Sequence, residues 1–292
     1  MSSLKMLRMR MSSIKSTSKM TQAMKLVSAS KLRKSKEILE GGKPYFEAIE
    51  KTAISMLLGI VDRSEHPIAF GRLHEDNKVQ LVVFGSDKGL CGSFNVNLAK
   101  KVRADITSFQ QAGITVEIIC SGNKVYELLK PLGKEILIST LGLIDRESLK
   151  EFVLDLQKRF NENLFDSCYV YYNHFISAIV QETLRQRLIP LFREEDILNQ
   201  EENYSHKVEC LPAPDTLIAE TTPKILLAKI MAIYQESQAS ENGARMASMD
   251  NATRNAGDML KKLNTIYNRT RQAAVTTELI EILAGAEAIK SN

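Results

Sequence analysis

The two ends of this chain carry long helical patterns, and the segment between them follows a different pattern. Near the N-terminus, large apolar residues recur at spacings of three and four, which is typical of an amphipathic helix. The members of this stripe are Leu4, Leu7, Met11 and Ile14, followed by Met20, Met24 and Val27. Because the stripe is thin and mixed with Ser and Thr, it favours a coiled-coil seam with one partner helix. We therefore predict one helix over residues 3–58, with a kink or break where Gly41, Gly42 and Pro44 interrupt it.

A second long helix is predicted in the C-terminal part of the chain. It is expected to begin near Thr222, with Thr222 as N-cap and Pro223 in the first turn. Its predicted stripe consists of Met249, Ala252, Ala256, Met259, Leu263, Ile266 and Ala273. At 1.5 Å per residue the two helices would be roughly 80 and 100 Å long. Since neither is stable alone in water, we expect them to pair antiparallel, with small residues in the seam allowing close approach.

The middle of the chain alternates strand and helix patterns. The predicted strands cover residues 79–84, 114–120, 135–139, 168–175 and 180–191, and the predicted helices cover 123–132 and 146–164. Residues 62–78 and 193–216 are expected to be a linker and a second boundary. Such alternation favours a mostly parallel sheet covered on both faces. The predicted fold class is α/β plus coiled coil: a long antiparallel coiled coil of the terminal helices (1–60 and 215–292) with an inserted Rossmann-like α/β domain (78–192).

Charge is distributed unevenly along the sequence. Residues 1–36 hold ten basic side chains and no acidic one, whereas the rest of the chain has 29 basic and 35 acidic residues. A concentrated cationic helix predicts an anionic partner. A mitochondrial transit peptide and a basic coiled coil that binds nucleic acid are alternative interpretations. The unbroken helical pattern argues against the first, and the absence of aromatic residues before Tyr45 argues against the second.

The chemistry of an enzyme is hard to find in this sequence. A glycine-rich turn at residues 85–93 follows a predicted strand, but its spacing fits neither a dinucleotide fingerprint nor a P-loop. We predict a tight turn exposed for protein contact, with Asp87, Lys88 and Cys91 on its surface. The four cysteines are far apart and have no pattern typical of metal ligands, so we predict no metal and a reduced, cytosolic location. Because the glycine spacing is wrong for a nucleotide and no histidine has a sequence-level reason to lie near Cys91, we predict no cofactor and no catalytic residues. An enzyme based on the α/β domain remains the alternative.

Several segments together resemble one family. They are residues 20–36, 86–95 (SDKGLCGSFN), 239–246, 249–256 and 267–274, and residues 275–288 fit the signature [IV]-T-x-E-x(2)-[DE]-x(3)-G-A-x-[SAKR] at every fixed position. These segments are similar to the gamma subunits of F-type ATP synthases. The resemblance implies a non-catalytic central rotor shaft, one copy per complex, that couples proton flow to ATP synthesis. It also implies partners: the hexamer of alpha and beta subunits, the epsilon subunit and the membrane ring of c subunits, with no nucleic acid and no small-molecule substrate.

The resemblance also implies the contact residues. Met24 and Lys25 would lie in the neck where the shaft meets the stator, and Arg245, Gln272, Thr276 and Glu278 would contact the beta subunits. A basic face formed by Lys15, Lys19, Lys31 and Arg33 would meet an acidic loop of beta. The alternative for each is plain coiled-coil surface.

Three positions, Gln22, Ser93 and Gly243, depart from the family pattern. Of these, Gly243 is expected to soften its helix locally, at about 1 kcal/mol of helix propensity. The expected location is peripheral, at the cytoplasmic face of a bacterial inner membrane.

Overall fold

The computed structural model describes residues 2–57, 63–72, 76–134, 136–141, 146–192 and 214–290. Helix α1 spans Ser2–Leu57, and a 3-10 turn (Arg63–Glu65) and the short helix α2 (Pro67–Phe70) follow it. The central elements are β1 (Lys78–Phe84), α3 (Phe94–Gln111), β2 (Thr115–Ser121), α4 (Asn123–Leu129), a 3-10 turn (Lys130–Lys134), β3 (Leu137–Leu141), α5 (Arg146–Asn161), β4 (Ser167–Phe175) and β5 (Gln181–Ile189). The last helix, α6, spans Pro214–Lys290.

These elements form two compact units. The coiled-coil unit consists of residues 1–28 and 246–292, and the α/β unit consists of residues 29–245. The domain boundaries predicted near residues 60 and 193–213 fall largely outside the described residues, so they stay predictions.

The α/β unit is built on a five-stranded sheet of order β3-β2-β1-β4-β5. The first four strands in this order are parallel, and β5 runs antiparallel beside β4 at the edge. The predicted mostly parallel sheet is therefore confirmed. Parallel strands end at the same edge of a sheet, so the segments that follow β1, β2 and β4 meet at its carboxyl edge.

Helices cover both faces of this sheet. On one face, Leu81 and Val83 of β1 pack with buried residues of α3 and α4. On the other face, Val82 and Phe84 pack with α5 and with residues 218–233 of α6. Buried side chains alternate between the faces because successive residues of a strand point to opposite sides. The first five turns of α6 thus belong to the core of the α/β unit.

The seam of α1 follows a strict three–four spacing. Its buried and half-buried positions in the coiled-coil unit are Leu4, Leu7, Met11, Ile14, Ser18, Thr21, Lys25 and Ser28. Met24 is also half-buried, but Met20 and Val27 are 65% and 58% exposed, so their predicted place in the seam is wrong. Small and polar side chains occupy the seam after Ile14, and a search for apolar residues misses them.

The C-terminal helix differs from its prediction in two ways. It begins at Pro214, so Thr222 and Pro223 lie inside it and do not cap it. Its seam in the coiled-coil unit consists of Met246, Met249, Thr253, Ala256, Leu260, Leu263, Tyr267, Thr270 and Ala274, with Ala252 half-buried beside it. The predicted members Met259 and Ile266 are 57% and 49% exposed, and Ala273 is exposed too.

Three further expectations need correction. Helix α1 continues through Gly41, Gly42 and Pro44, so it does not break there, and the alternative of a kink stays a prediction. Part of the linker expected over residues 62–78 is structured. It contains helix α2, and Arg72, just after this helix, forms an ion pair of 3.3 Å with Asp166. Residues 94–111 form helix α3, although no element was predicted there. Its buried face recurs every four residues, at Phe94, Leu98, Val102 and Ile106, which is the signal that identifies it.

Candidate functional site

The two chain segments of the coiled-coil unit run antiparallel. Three hydrogen bonds fix their register: Arg8 Nη2 donates to the Tyr267 hydroxyl (2.8 Å), the Thr21 and Thr253 hydroxyls lie 2.7 Å apart, and Lys25 Nζ donates to Asp250 Oδ1 (2.6 Å). As the first residue number rises, the second falls by nearly the same amount, which only an antiparallel pair can produce. The predicted antiparallel pairing is confirmed for this unit.

Lys25 lies within a charged cluster at the seam. Its ammonium group binds Asp250, whose other carboxylate oxygen lies 2.5 Å from Nη2 of Arg254. The hydrogen bond from Lys25 lowers the pKa of the Asp250 carboxyl below its usual value, and the nearby Arg254 adds to this shift. Lys25 thus holds two helices together, a role that the predicted stator contact does not include. Neither Asp250 nor Arg254 was identified from the sequence.

The predicted basic side chains lie on the outer surface. Lys15, Lys19, Lys31 and Arg33 are all exposed, and Arg33 pairs with Glu37 at 3.6 Å on the same helix. The sequence of the coiled-coil unit contains twelve basic and five acidic residues, a balance of +7, so the α/β unit carries the acidic excess. Residues 1–28 supply six of these basic residues and none of the acidic ones, so the excess of the unit lies almost entirely on its N-terminal segment.

The seam of α6 ends at Ala274, and the next twelve residues are exposed. These twelve include five large apolar side chains that are 49–68% exposed: Val275, Leu279, Ile280, Ile282 and Leu283. The register explains the change, because residue 274 lies opposite the start of α1. Gln272, Thr276 and Glu278 are also exposed here, and the Thr276 hydroxyl donates to the Gln272 carbonyl oxygen at 2.9 Å.

The glycine-rich turn at residues 85–93 lies at the carboxyl edge of the sheet. Gly85 is required there, since a Cβ atom would lie 2.4 Å from a methyl carbon of Val125. Ser86 is buried, its N–H donates to Asn95 Oδ1 (3.0 Å), and its hydroxyl accepts from Asn95 Nδ2 (2.7 Å). Asp87 and Lys88 are exposed, as predicted. Cys91 is 3% exposed, so its predicted place on the loop surface is wrong.

Arg245 is buried against the same turn. Its Nη2 atom donates to the Lys88 carbonyl (2.8 Å) and lies 2.7 Å from Glu241 Oε1, while its Nε donates to the Gly89 carbonyl (3.3 Å). Burial raises the pKa of the Glu241 carboxyl, and the Arg245 guanidinium opposes that rise. Sequence reasoning singled out Arg245 and missed Glu241.

Metal ligation and membrane spanning find no support among the described residues. No group of three or more His, Cys, Asp or Glu side chains in the described ranges could hold a metal ion. In the same part of the chain, no helix combines the length and the apolar composition needed to cross a membrane.

The comparisons with known proteins agree with this architecture. A family model described as ATP synthase matches residues 3–289. The ATP synthase gamma chains of Pelagibacter ubique and Magnetococcus marinus are each 38% identical to this chain, and each match covers 99% of this chain and 100% of the relative.

Solved structures share the fold. The central stalk and c-ring structure of the Tetrahymena thermophila mitochondrial ATP synthase contains a chain with a TM-score of 0.60 at 22% identity, covering 80% of this chain and 99% of that one. The rotor of the Euglena gracilis mitochondrial enzyme gives a TM-score of 0.58 at 16% identity, covering 94% and 99%.

A coiled coil of the two chain ends with an inserted α/β unit, matched over nearly its full length, defines a subunit of the ATP synthase class. Within that class, the chain belongs to the gamma chain family. It is a non-catalytic subunit, the central shaft of a complex that makes and hydrolyses ATP, and the rival functions of enzyme and nucleic-acid binder are not favoured.

Proposed function

We propose that this chain transmits rotation to the alpha and beta subunits through surfaces of its two long helices, α1 and α6. The first is the unpaired end of α6 (residues 275–286), and the second is the basic outer face of α1. The observation that carries the proposal is the run of exposed apolar side chains beyond Ala274.

The unpaired end of α6 needs a partner for physical reasons. An isolated helix of this length is marginal in water. At about 100° per residue, its five large apolar side chains cover an arc of roughly 160°, while Glu278 and Glu281 lie on the opposite side. A contiguous apolar surface of this kind marks a protein contact. We propose that the apolar arc packs against the alpha and beta subunits. Gln272 and Thr276, which fall within the arc at the same rotation per residue, and Glu278 outside it would make the polar contacts.

The basic face serves a different purpose. Lys15 and Lys19 are exposed, and they belong to a unit with a balance of +7. Exposed charge contributes to orientation and to association rate more than to affinity. We propose that these side chains, with Lys31 and Arg33, face acidic groups of the beta subunits as the shaft turns. Met24, half-buried beside Lys25, would lie at the edge of this contact.

The chain is a component of the F1 part of a membrane-associated complex. We propose that it binds the epsilon subunit and the c-ring through its α/β unit, in one copy per complex. It would then be peripheral at the cytoplasmic face of a bacterial inner membrane.

The test is the ATPase activity of purified cognate alpha and beta subunits, measured with and without this chain. We expect co-assembly and a raised turnover. A chain that ends at Ala274 is expected to lose most of that stimulation while the α/β unit stays folded. Absence of co-assembly by the full chain would refute the proposal, and full stimulation by the truncated chain would refute the role of residues 275–286.

The role of the basic face is tested in vesicles that contain the complete ATP synthase. Changing Lys15 and Lys19 to Glu is expected to lower the number of protons pumped per ATP hydrolysed. The matched control changes Lys100 and Lys130, which are exposed on the α/β unit, in the same way. Lys25 is left unchanged because its reversal would break the ion pair with Asp250. Equal pumping by both double variants would contradict a role for this face.

A further inference from the structure

We propose that Arg245 is a positioning residue: with Glu241 it fastens residues 85–93 so that Leu90 is presented to the alpha and beta subunits. We call the contacts of Arg245 with Glu241 and with the turn the latch. The inference rests on the proposed function, because it assumes that the chain works against those subunits. Arg245 would then act on the beta subunits through the turn, and not through a direct contact.

The latch holds the turn through hydrogen bonds to its backbone. Both loop partners of Arg245 are carbonyl oxygens, those of Lys88 and Gly89, so the guanidinium holds the path of the chain rather than a side chain. Glu241 lies one helical turn before Arg245 and holds the guanidinium at 2.7 Å. The side chains of this pair are only 12% and 11% exposed. Charge-assisted hydrogen bonds in such surroundings are strong, and they fix geometry.

Arg245 has little surface left for a direct partner. The residue is 9% exposed, and its Nε and Nη2 atoms are already engaged with the turn and with Glu241. A direct contact with another subunit would require it to leave these groups, and the carboxylate of Glu241 would then be buried without its partner.

A second set of contacts holds the turn from the other side. Asn95 bonds the N–H and the hydroxyl of Ser86, and its Nδ2 atom lies 3.3 Å from the Cys91 sulfur. Cys91 is packed in a small apolar cluster with Phe94 and Ala244. The ends of the turn are therefore fixed both by helix α3 and by helix α6.

Between these fixed points, Leu90 adopts a costly conformation. Its φ angle is +64°, in the left-handed region, and its side chain is 59% exposed. A left-handed backbone costs a non-glycine residue about 1–2 kcal/mol. A leucine here adds strain and leaves apolar surface in water. Strained residues that their surroundings hold in place cluster at contact and switch sites.

A second apolar side chain close to Leu90 in sequence is also exposed. Val96, in the first turn of α3, is 56% exposed. Since the alpha and beta subunits are established partners of the gamma chain family, we infer that they cover Leu90. Lys88 is exposed next to it and would add charge complementarity to acidic groups of beta.

The test combines two variants with two measurements. Arg245→Gln removes the charged guanidinium group. Leu90→Asn removes the apolar side chain and introduces a residue that tolerates the left-handed region. The first measurement is the rate at which Cys91 is alkylated in the full chain. It is made in a chain that also carries Cys210→Ser, so that the thiol of Cys210 does not contribute. The second is the number of protons pumped per ATP hydrolysed by the complete complex in vesicles.

We expect Arg245→Gln to raise the alkylation rate of Cys91 by about tenfold or more, since it removes charge-assisted hydrogen bonds that hold the turn closed. Leu90→Asn should leave that rate unchanged. Both variants should lower the pumping ratio, and the double variant should be no worse than the poorer single one. Arg245→Lys keeps the positive charge but lacks the several N–H donors of the guanidinium group. It should fall between wild type and Arg245→Gln in both measurements.

Matched controls come from the same unit. Leu137→Asn changes another exposed leucine, 66% exposed on β3, and Arg103→Gln changes another arginine that donates to a backbone carbonyl, that of Leu128. Neither should alter the pumping ratio. If Arg245→Gln does not assemble, Glu241→Gln, which leaves the arginine in place, is measured in the same way and should also expose Cys91.

Three results would overturn the inference. Pumping losses that multiply in the double variant would mean that Arg245 and Leu90 act independently. A Leu90→Asn effect no larger than that of Leu137→Asn would remove Leu90 as a contact, and unchanged protection of Cys91 in Arg245→Gln would remove the latch. Failure of the wild-type chain to assemble is a separate outcome that would refute the proposed function itself.

Discussion

Gly243 offers a sharp test of how closely α6 approaches the sheet of the α/β unit. A Cβ atom at this position would lie 3.0 Å from Cε2 of Phe175 and 3.2 Å from Cα of Ala178. The ring of Phe175 has a further contact, since Nζ of Lys36 lies 4.6 Å from its centroid. We therefore expect Gly243→Ala to destabilise the chain, although alanine is the better helix former.

Two opposing terms set the magnitude. Replacing glycine by alanine in a helix interior stabilises by about 0.8–1 kcal/mol. Forcing one extra methyl group into a packed contact costs about 1–3 kcal/mol, and here one of the neighbours is backbone that cannot rotate away. The free energy of unfolding should thus fall by about 0–2 kcal/mol.

The matched control is Gly41→Ala. Gly41 also lies inside a long helix of the same unit, and a Cβ atom there would meet nothing within 4 Å. This variant should gain the full helix-propensity term, so the two variants should differ by about 1–3 kcal/mol in urea unfolding followed by circular dichroism. Adding Phe175→Leu should reduce the cost of Gly243→Ala. If Gly243→Ala stabilises as much as Gly41→Ala, the close approach does not exist in solution.

Two further predictions concern titration and thiol reactivity. The pKa of Asp250 is lowered in the folded state, so its contribution to stability is present above the usual carboxyl pKa and is lost as pH falls through the folded value. The melting temperature should fall as pH drops below about 4, and Asp250→Asn or Lys25→Ala should weaken that dependence; an unchanged profile in both variants would contradict it. Burial raises the pKa of Cys120 to about 12 and that of Cys168 further. Both thiols should resist alkylation in the native chain at neutral pH and react in urea, and rapid native labelling of either would show that the core is open.

The sequence predicted the architecture well, because both periodicities are strong. Apolar spacing located both terminal helices, and the ends of α1 were predicted to within one residue. The alternation of strand and helix patterns located all five strands. The seam after Ile14 was harder, since Ser18, Thr21 and Ser28 occupy it while Met20 and Val27 face outward. Continuing the three–four spacing, rather than following the apolar residues, would have found these positions.

The contacts that define the latch lie beyond such reasoning. Arg245 bonds carbonyl oxygens 156 and 157 residues away in sequence, and backbone acceptors carry no signature in the side chains around them. The resemblance to a family singled out Arg245 without showing what it touches. The same holds for Gly243, which was expected to soften the helix and whose missing side chain instead makes room for Phe175.

The polar stretch of the α1 seam has a mechanical consequence. From Leu4 to Ile14 the seam positions of α1 are apolar, whereas from Ser18 to Ser28 they are Ser, Thr and Lys, with Met24 beside them. In this second stretch one pair of hydroxyl groups and one ion pair join the two helices. Small polar contacts add little hydrophobic stabilisation and exchange readily with water. Torsional strain should therefore collect in this stretch, while the apolar stretch turns as a stiff rod.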